Sequence, residues 1–178
     1  MTFFERVVGA MISPEYVREM ARYNQWQNKQ LQAMMSGLND DVLYQHRGAF
    51  FGSIMATANH LLWTDQLWLS RFGVMPAPEE DSAMGAELTS SFSEWEIMRF
   101  RTDVATQQWA EKLRAIDLTG ELSWFSSVYG QRFCTPKWVC VTNMFNHQTH
   151  HRGQLHMMLT AIGCESMVTD LFLLPEGA

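Results

Sequence analysis

Three of the six histidines fall within five residues, in Asn146-His147-Gln148-Thr149-His150-His151-Arg152-Gly153-Gln154. His147 and His151 are four apart, so on a helix they stack one turn above the other on a single face. That spacing suits two imidazoles binding one metal ion. The alternative is two core histidines that satisfy each other or the backbone. Two imidazoles on a buried seam with no evident carboxylate partner are costly to leave unpaired, which favours a metal. Two ligands rarely hold a catalytic metal, so a third ligand and a pocket must come from elsewhere in the chain.

The elements that would position them read as four long amphipathic helices. Ser13-Pro14-Glu15 opens the first with an N-cap Ser, Pro at the first helical position and an acid in the first turn. Val17, Met20, Ala21, Leu31, Met35 and Leu38 form its apolar stripe, and Gly37, Asn39 and Asp40 end it. Asn24 and Asn28 lie on the same stripe, where buried amides need partners; tying helices together is favoured over lining a polar cavity. A polar connection, residues 40–52, leads to Ser53 as cap of the second helix. Its stripe is Ile54, Ala58, Leu61, Asp65, Trp68 and Phe72, with Asp65 the anomaly. His60 sits on the flank of that stripe. Taken alone, one histidine there is more often a packing or hydrogen-bonding residue.

Residues 74–90 read as a loop in which the acidic run Glu79-Glu80-Asp81 is a solvated segment. Ser91 or Ser93 caps a third helix whose buried face is Phe92, Trp95, Met98, Thr102, Ala105, Trp109, Leu113 and Ile116. The helical period is lost over residues 117–135, where aromatic and β-branched residues around Gly130 suggest a short hairpin or an extended crossover. Thr135-Pro136 opens the fourth helix as cap and first position, and Gly163 ends it. At about 100° per residue, Cys140, His147, His151 and Met158 cluster in direction, with Met144, Gln154 and Leu155 nearby. His150 lies to one side and His156 on the opposite, surface face. Arg152 points off the seam, which favours a structural ion pair. Gly153 in mid-helix suggests a close helix approach, and the apolar tail, residues 168–175, suits packing on the helices. The expected fold is all-α, a four-helix bundle in one domain over residues 1–178 with long crossover connections.

Composition narrows the partners. The net charge is −6 and no basic stripe occurs, so nucleic acid and anionic membrane surfaces are poor partners. No apolar stretch reaches the ~20 residues that span a membrane. The first twelve residues carry Glu5 and Arg6 inside a short apolar run, without the basic start of a signal peptide. Cys134, Cys140 and Cys164 are odd in number and form no Cys-x-x-Cys, which fits a reducing cytoplasm and buried thiols. Thirteen methionines and seven tryptophans at helical spacing are core residues.

The layout resembles the DinB/YfiT-like superfamily of bacterial four-helix bundles. The resemblance lies in Tyr23-Asn24-Gln25-Trp26 with Asn28, and in Phe51-Gly52-Ser53-Ile54 leading to His60-Leu61-Leu62-Trp63-Thr64-Asp65. It continues in Trp68-Leu69-Ser70-Arg71 and closes with the segment from His147 to Gln154 and Gly163. It implies that His60, His147 and His151 bind a divalent metal, with His150 outside the ligand set. It also implies an up-down-down-up helix arrangement, frequent homodimers and a small-molecule substrate. Some members of that superfamily use low-molecular-weight thiols such as bacillithiol, mycothiol or glutathione to transfer or isomerise substrates. The ion would be Zn, Ni or Fe, all compatible with imidazole ligation.

Three neutral imidazoles leave an ion its full charge and an open position. Thiol transfer to an electrophile is the leading expectation. A metal-activated hydrolase and a non-catalytic metal-binding stress-response protein are the rivals. Asp65, Gln154, Asn24 and Asn28 are candidates to support a ligand or touch substrate, Asp65 by orienting an imidazole or pairing with Arg152. A His147→Ala variant is expected to lose most of the bound metal; retention of the parent's metal content by elemental analysis would contradict the ligand set.

Overall fold

Local chemistry sets the helix starts in the computed structural model, which describes residues 10–79 and 84–177. Ser13 Oγ accepts from the Tyr16 N–H and Pro14 begins α1, Pro14–Ser36. Asn39 caps a single-turn helix, α2 (Asp40–Tyr44), which buries Leu43, so the connection expected there is partly helical. Ser53 caps α3, Ile54–Arg71, and Ser91 caps α4, Phe92–Lys112. An antiparallel hairpin follows, β1 (Glu121–Ser126) with β2 (Gln131–Pro136), in which Trp124 faces Phe133. Gly130 turns it at a φ of 64°, in the left-handed region that glycine enters without steric cost. The last long helix is α5, Lys137–Thr160. The all-α expectation therefore holds for the long elements, and a two-stranded sheet is added to it.

The start of α5 differs from the sequence expectation. Thr135 is paired with Leu122 in the hairpin, and Pro136 ends the strand and occupies the cap position with no side-chain cap. The acidic run and the N-terminal stretch, with its Glu5 and Arg6, each fall partly outside the described residues. Gly153 is exposed and a Cβ there would meet nothing within 4 Å, so no helix approach explains it. The tail is tied down by its backbone rather than by its apolar side chains. Gln27 and Gln30 donate to the Val168 carbonyl and the Tyr23 hydroxyl to that of Thr169, while Phe172 is left 83% exposed. Among the described residues no helix is long and apolar enough to cross a membrane.

α1 packs on α4 and α5, and α3 packs on the same two helices. Between them lie two apolar clusters with a polar layer in the middle. One cluster holds Leu31 and Met35 of α1, Ala58 and Leu61 of α3, Trp95 of α4 and Leu155 of α5. The other holds Val17 and Ala21, Trp68, Ala110 and Met144 of the same helices. Along α1 and α5 the chain passes from the second cluster to the first; along α3 and α4 it passes the other way. The two pairs therefore run in opposite directions.

The polar layer is ionic. Arg99 Nη1 donates to Asp65 Oδ2 at 2.6 Å, and Arg99 Nη2 pairs with Asp103 Oδ1 at 2.8 Å. Asn28 donates to Asp103 and Gln148 to Asp65, each at 2.8 Å. Arg152, fully buried, donates to Asn24 Oδ1 and lies over the Tyr23 ring. Loss of water pulls its pKa down to about 10, so it remains a cation. The expected ion pair of Arg152 is thus replaced by an amide and a ring face. The buried face of α4 is likewise Trp95, Arg99, Thr102, Asp103, Thr106 and Ala110, while Ile116 is 63% exposed. An apolar-only pattern misplaces this seam because two of its members are charged.

Removing one partner of a buried ion pair leaves the other charge without water or counter-charge, at a cost of about 3–5 kcal/mol. Asp103→Ala is expected to lower unfolding stability by about that amount in urea titrations. A loss below about 1 kcal/mol would mean that Arg99 is satisfied without it.

Candidate metal centre

α3 and α5 bring His60, His147 and His151 together, with one ring nitrogen from each within 4.8 Å of the others. The His147 and His151 Nε2 atoms are 3.0 Å apart. A tetrahedral ion with nitrogens at about 2.0–2.1 Å spaces them by about 3.3 Å, so small side-chain shifts seat one. Among the described residues no carboxylate joins the trio.

The protein holds these rings neutral and turns their free nitrogens to one point. His60 Nδ1 lies 2.6 Å from the Met84 carbonyl, which can only accept, so Nδ1 carries the proton and Nε2 is bare. His151 Nδ1 donates in the same way to Gln154 Oε1 at 2.7 Å, and the Gln154 amide nitrogen turns to His150 Nε2 at 3.3 Å. His147 Nδ1 is buried with no hydrogen-bond partner among the described residues. Burial lowers all three pKa values, and repulsion from neighbouring histidines reinforces it at His147, taken down to about 3, and at His151, taken down to about 4. A divalent ion requires neutral imidazoles, and the tautomers of His60 and His151 are fixed to present Nε2 to it.

The ring of His60 is clamped further. Phe51 stacks on it with centroids 3.9 Å apart. Met84, which supplies the carbonyl, has a φ of 53°, a conformation that costs a non-glycine residue about 1–2 kcal/mol. It is followed by Gly85, also left-handed, where a Cβ would collide with the Trp63 side chain. The close packing of Gly85 on Trp63 seats the loop so that Met84 points at His60. Phe51, Trp63 and Met84 were not legible as site residues: an aromatic and a loop backbone carbonyl carry no chemical signature.

The trio opens into a cavity of about 460 Å³, within the range of small-molecule sites. Its walls include Phe50, Phe51, Trp63 and Met84, and the hairpin contributes Ser126, Val128 and Tyr129. His150 lines it too, outside the clustered trio, with its Nε2 by the Gln154 amide. Of the four candidates for ligand support or substrate contact, Gln154 lines the cavity and holds His151. Asp65, Asn24 and Asn28 are turned into the ionic layer instead. Asp65 takes Arg99, which sequence reading did not single out, rather than Arg152 or a ligand imidazole. The three cysteines are free, and none lines the cavity.

Three inward imidazoles at the floor of an open cavity are positioned so that they could hold a metal ion. Residues 11–178 match the DinB family, and the chain belongs to it. A crystal structure of a DinB-like protein from Bacillus cereus ATCC 10987 superimposes with a TM-score of 0.60 at 20% identity, covering 80% of this chain and 90% of that one. That likeness shows the fold. No curated protein matches the chain.

The histidines also set a pH dependence. In the unfolded chain they titrate near the ordinary value of about 6.5, whereas the folded protein keeps them neutral far below it. Between those limits the unfolded state binds more protons, so stability falls as pH falls. The metal-free protein is expected to lose urea resistance from pH 7 to pH 5, above the carboxylate range, and His147→Leu to show a shallower slope. Parallel slopes for the two proteins would contradict this account.

Proposed function

We propose that this protein is a metal-dependent enzyme, on a four-helix bundle of DinB/YfiT type, that activates a low-molecular-weight thiol for transfer to an electrophile. The observation that carries the proposal is the opening of the three clustered imidazoles into a cavity rather than into closed core. A structural ion would be shut in; this site leaves room for a substrate. A Zn, Ni or Fe ion held by His60, His147 and His151 supplies the positive charge that favours an ionised thiol. Met84 and Gln154 keep the ligand rings oriented. Phe50, Phe51 and Trp63 exclude water from the reacting atoms, which strengthens electrostatic interactions there.

The transfer itself balances simply. The thiol gives up its proton to water, its sulfur forms a bond to the electrophilic carbon, and the leaving group departs with its bonding pair. The small-molecule substrate, a homodimeric state and a cytoplasmic location belong to the same proposal.

Metal-loaded protein is expected to speed the reaction of bacillithiol, mycothiol or glutathione with a model electrophile by roughly 10²-fold or more. His147→Ala should remove the acceleration. Absence of acceleration with all three thiols sinks the thiol reading. Ester or amide hydrolysis under the same conditions would then identify a metal-activated hydrolase, and no turnover at all a non-catalytic metal-binding protein.

A further inference from the structure

Arg71 stands apart from the other buried or half-buried arginines. Arg99 is held by two carboxylates, Arg152 by Asn24, and Arg47 by the Val42 carbonyl. The Arg71 guanidinium instead lies between two indoles, 4.7 Å from the Trp68 ring centroid and 5.1 Å from that of Trp124. Among the described residues it makes no ion pair and no hydrogen bond. Ring faces cover its flat sides and leave its N–H edge without acceptors. It is half-buried, and the loss of water lowers its pKa, a sign of a thinly hydrated cation. Among the described residues of the cavity on its other side the one carboxylate is Asp117, already bonded to Arg114.

Arg71 lines the same cavity as the histidines. It follows His60 by eleven residues, which is three turns plus about 20°, so both project from one stripe of α3. Thr64 and Leu67, between them on that stripe, line the cavity as well. At 1.5 Å per residue the two Cα atoms are about 16 Å apart, and helical side chains lean toward the N-terminus, which brings Arg71 back toward His60. Its stack on Trp68, three residues earlier, follows that lean.

We infer that Arg71 is the anchor for a carboxylate of an elongated substrate whose other end reaches the histidine trio. A single guanidinium in an aromatic-walled cavity matches one negative charge, and its planar fork matches a carboxylate edge. The remaining span is about that of an extended tripeptide, roughly 10 Å. The inference rests on the cavity being the substrate site, as proposed above, but not on thiol chemistry.

Two probes test it. Cobalt-loaded protein is titrated with mercaptohexanoate and with mercaptohexanol, following the thiolate-to-cobalt absorption band. The parent is expected to bind the carboxylate about tenfold to a hundredfold more tightly than the alcohol. Arg71→Gln should erase that preference while keeping the cobalt content and the affinity for the alcohol, and Arg71→Lys should restore part of it. An unchanged preference in Arg71→Gln, or none in the parent, overturns the anchor. If neither thiol gives a band, the thiol reading fails and the anchor is judged separately. Calorimetry on metal-free protein then compares phenylacetate, phenylacetamide and phenyl phosphate. Equal affinity for acid and amide overturns it, as does a preference for the phosphate.

Discussion

Four buried charges share the middle of this protein, and the rest of the structure is arranged around giving each a polar or aromatic partner. Asp65, Arg99 and Asp103 form a chain of contacts at 2.6 and 2.8 Å, and Arg152 lies within reach of the same field. The four charges sum to zero. Each of the long helices contributes: Asn24 and Asn28 from α1, Asp65 from α3, Arg99 and Asp103 from α4, Gln148 and Arg152 from α5. Taking ions out of water is expensive, so such a layer adds less net stability than apolar packing of the same volume. What it does impose is register. Each helix has an apolar segment on either side of the layer, and sliding one helix by a turn would leave charges facing hydrocarbon.

That register places the metal point. On α5 the pair Gln148 and Arg152 enters the ionic layer, while His147 and His151, one residue earlier in each turn, face the cavity. On α3, Asp65 enters the layer and Thr64 and His60 face the cavity. Two interleaved i,i+4 pairs on one helix therefore serve different surfaces, and locking one aims the other. The histidines can then be buried as neutral rings, His60 turned by the Met84 carbonyl and His151 by Gln154.

The cavity depends on the less regular segments. Met84 holds a left-handed backbone so that its carbonyl reaches His60, and Gly85 lets that loop press against Trp63. The hairpin supplies the opposite wall through Ser126, Val128 and Tyr129, and its Trp124 covers Arg71. These segments link the histidine cluster, built on the long helices, to the rim of the cavity.

The sequence by itself determined the helices and the metal pair. Caps at Ser13, Ser53 and Ser91 and an i,i+4 histidine pair are local signals, carried by residues that contact their own neighbours in the chain. The third histidine was legible only through family resemblance, because nothing near His60 in the chain distinguishes a ligand from a packing residue. Tertiary structure alone decided the partner of Asp65, the burial of Arg99, Asp103 and Arg152, and the Met84 contact. It also decided that three of the four candidates for ligand support or substrate contact belong to the ionic layer. Those outcomes depend on which helix faces which, and a buried charge looks in sequence like a solvated one until its counter-charge, contributed by a distant helix, is in place.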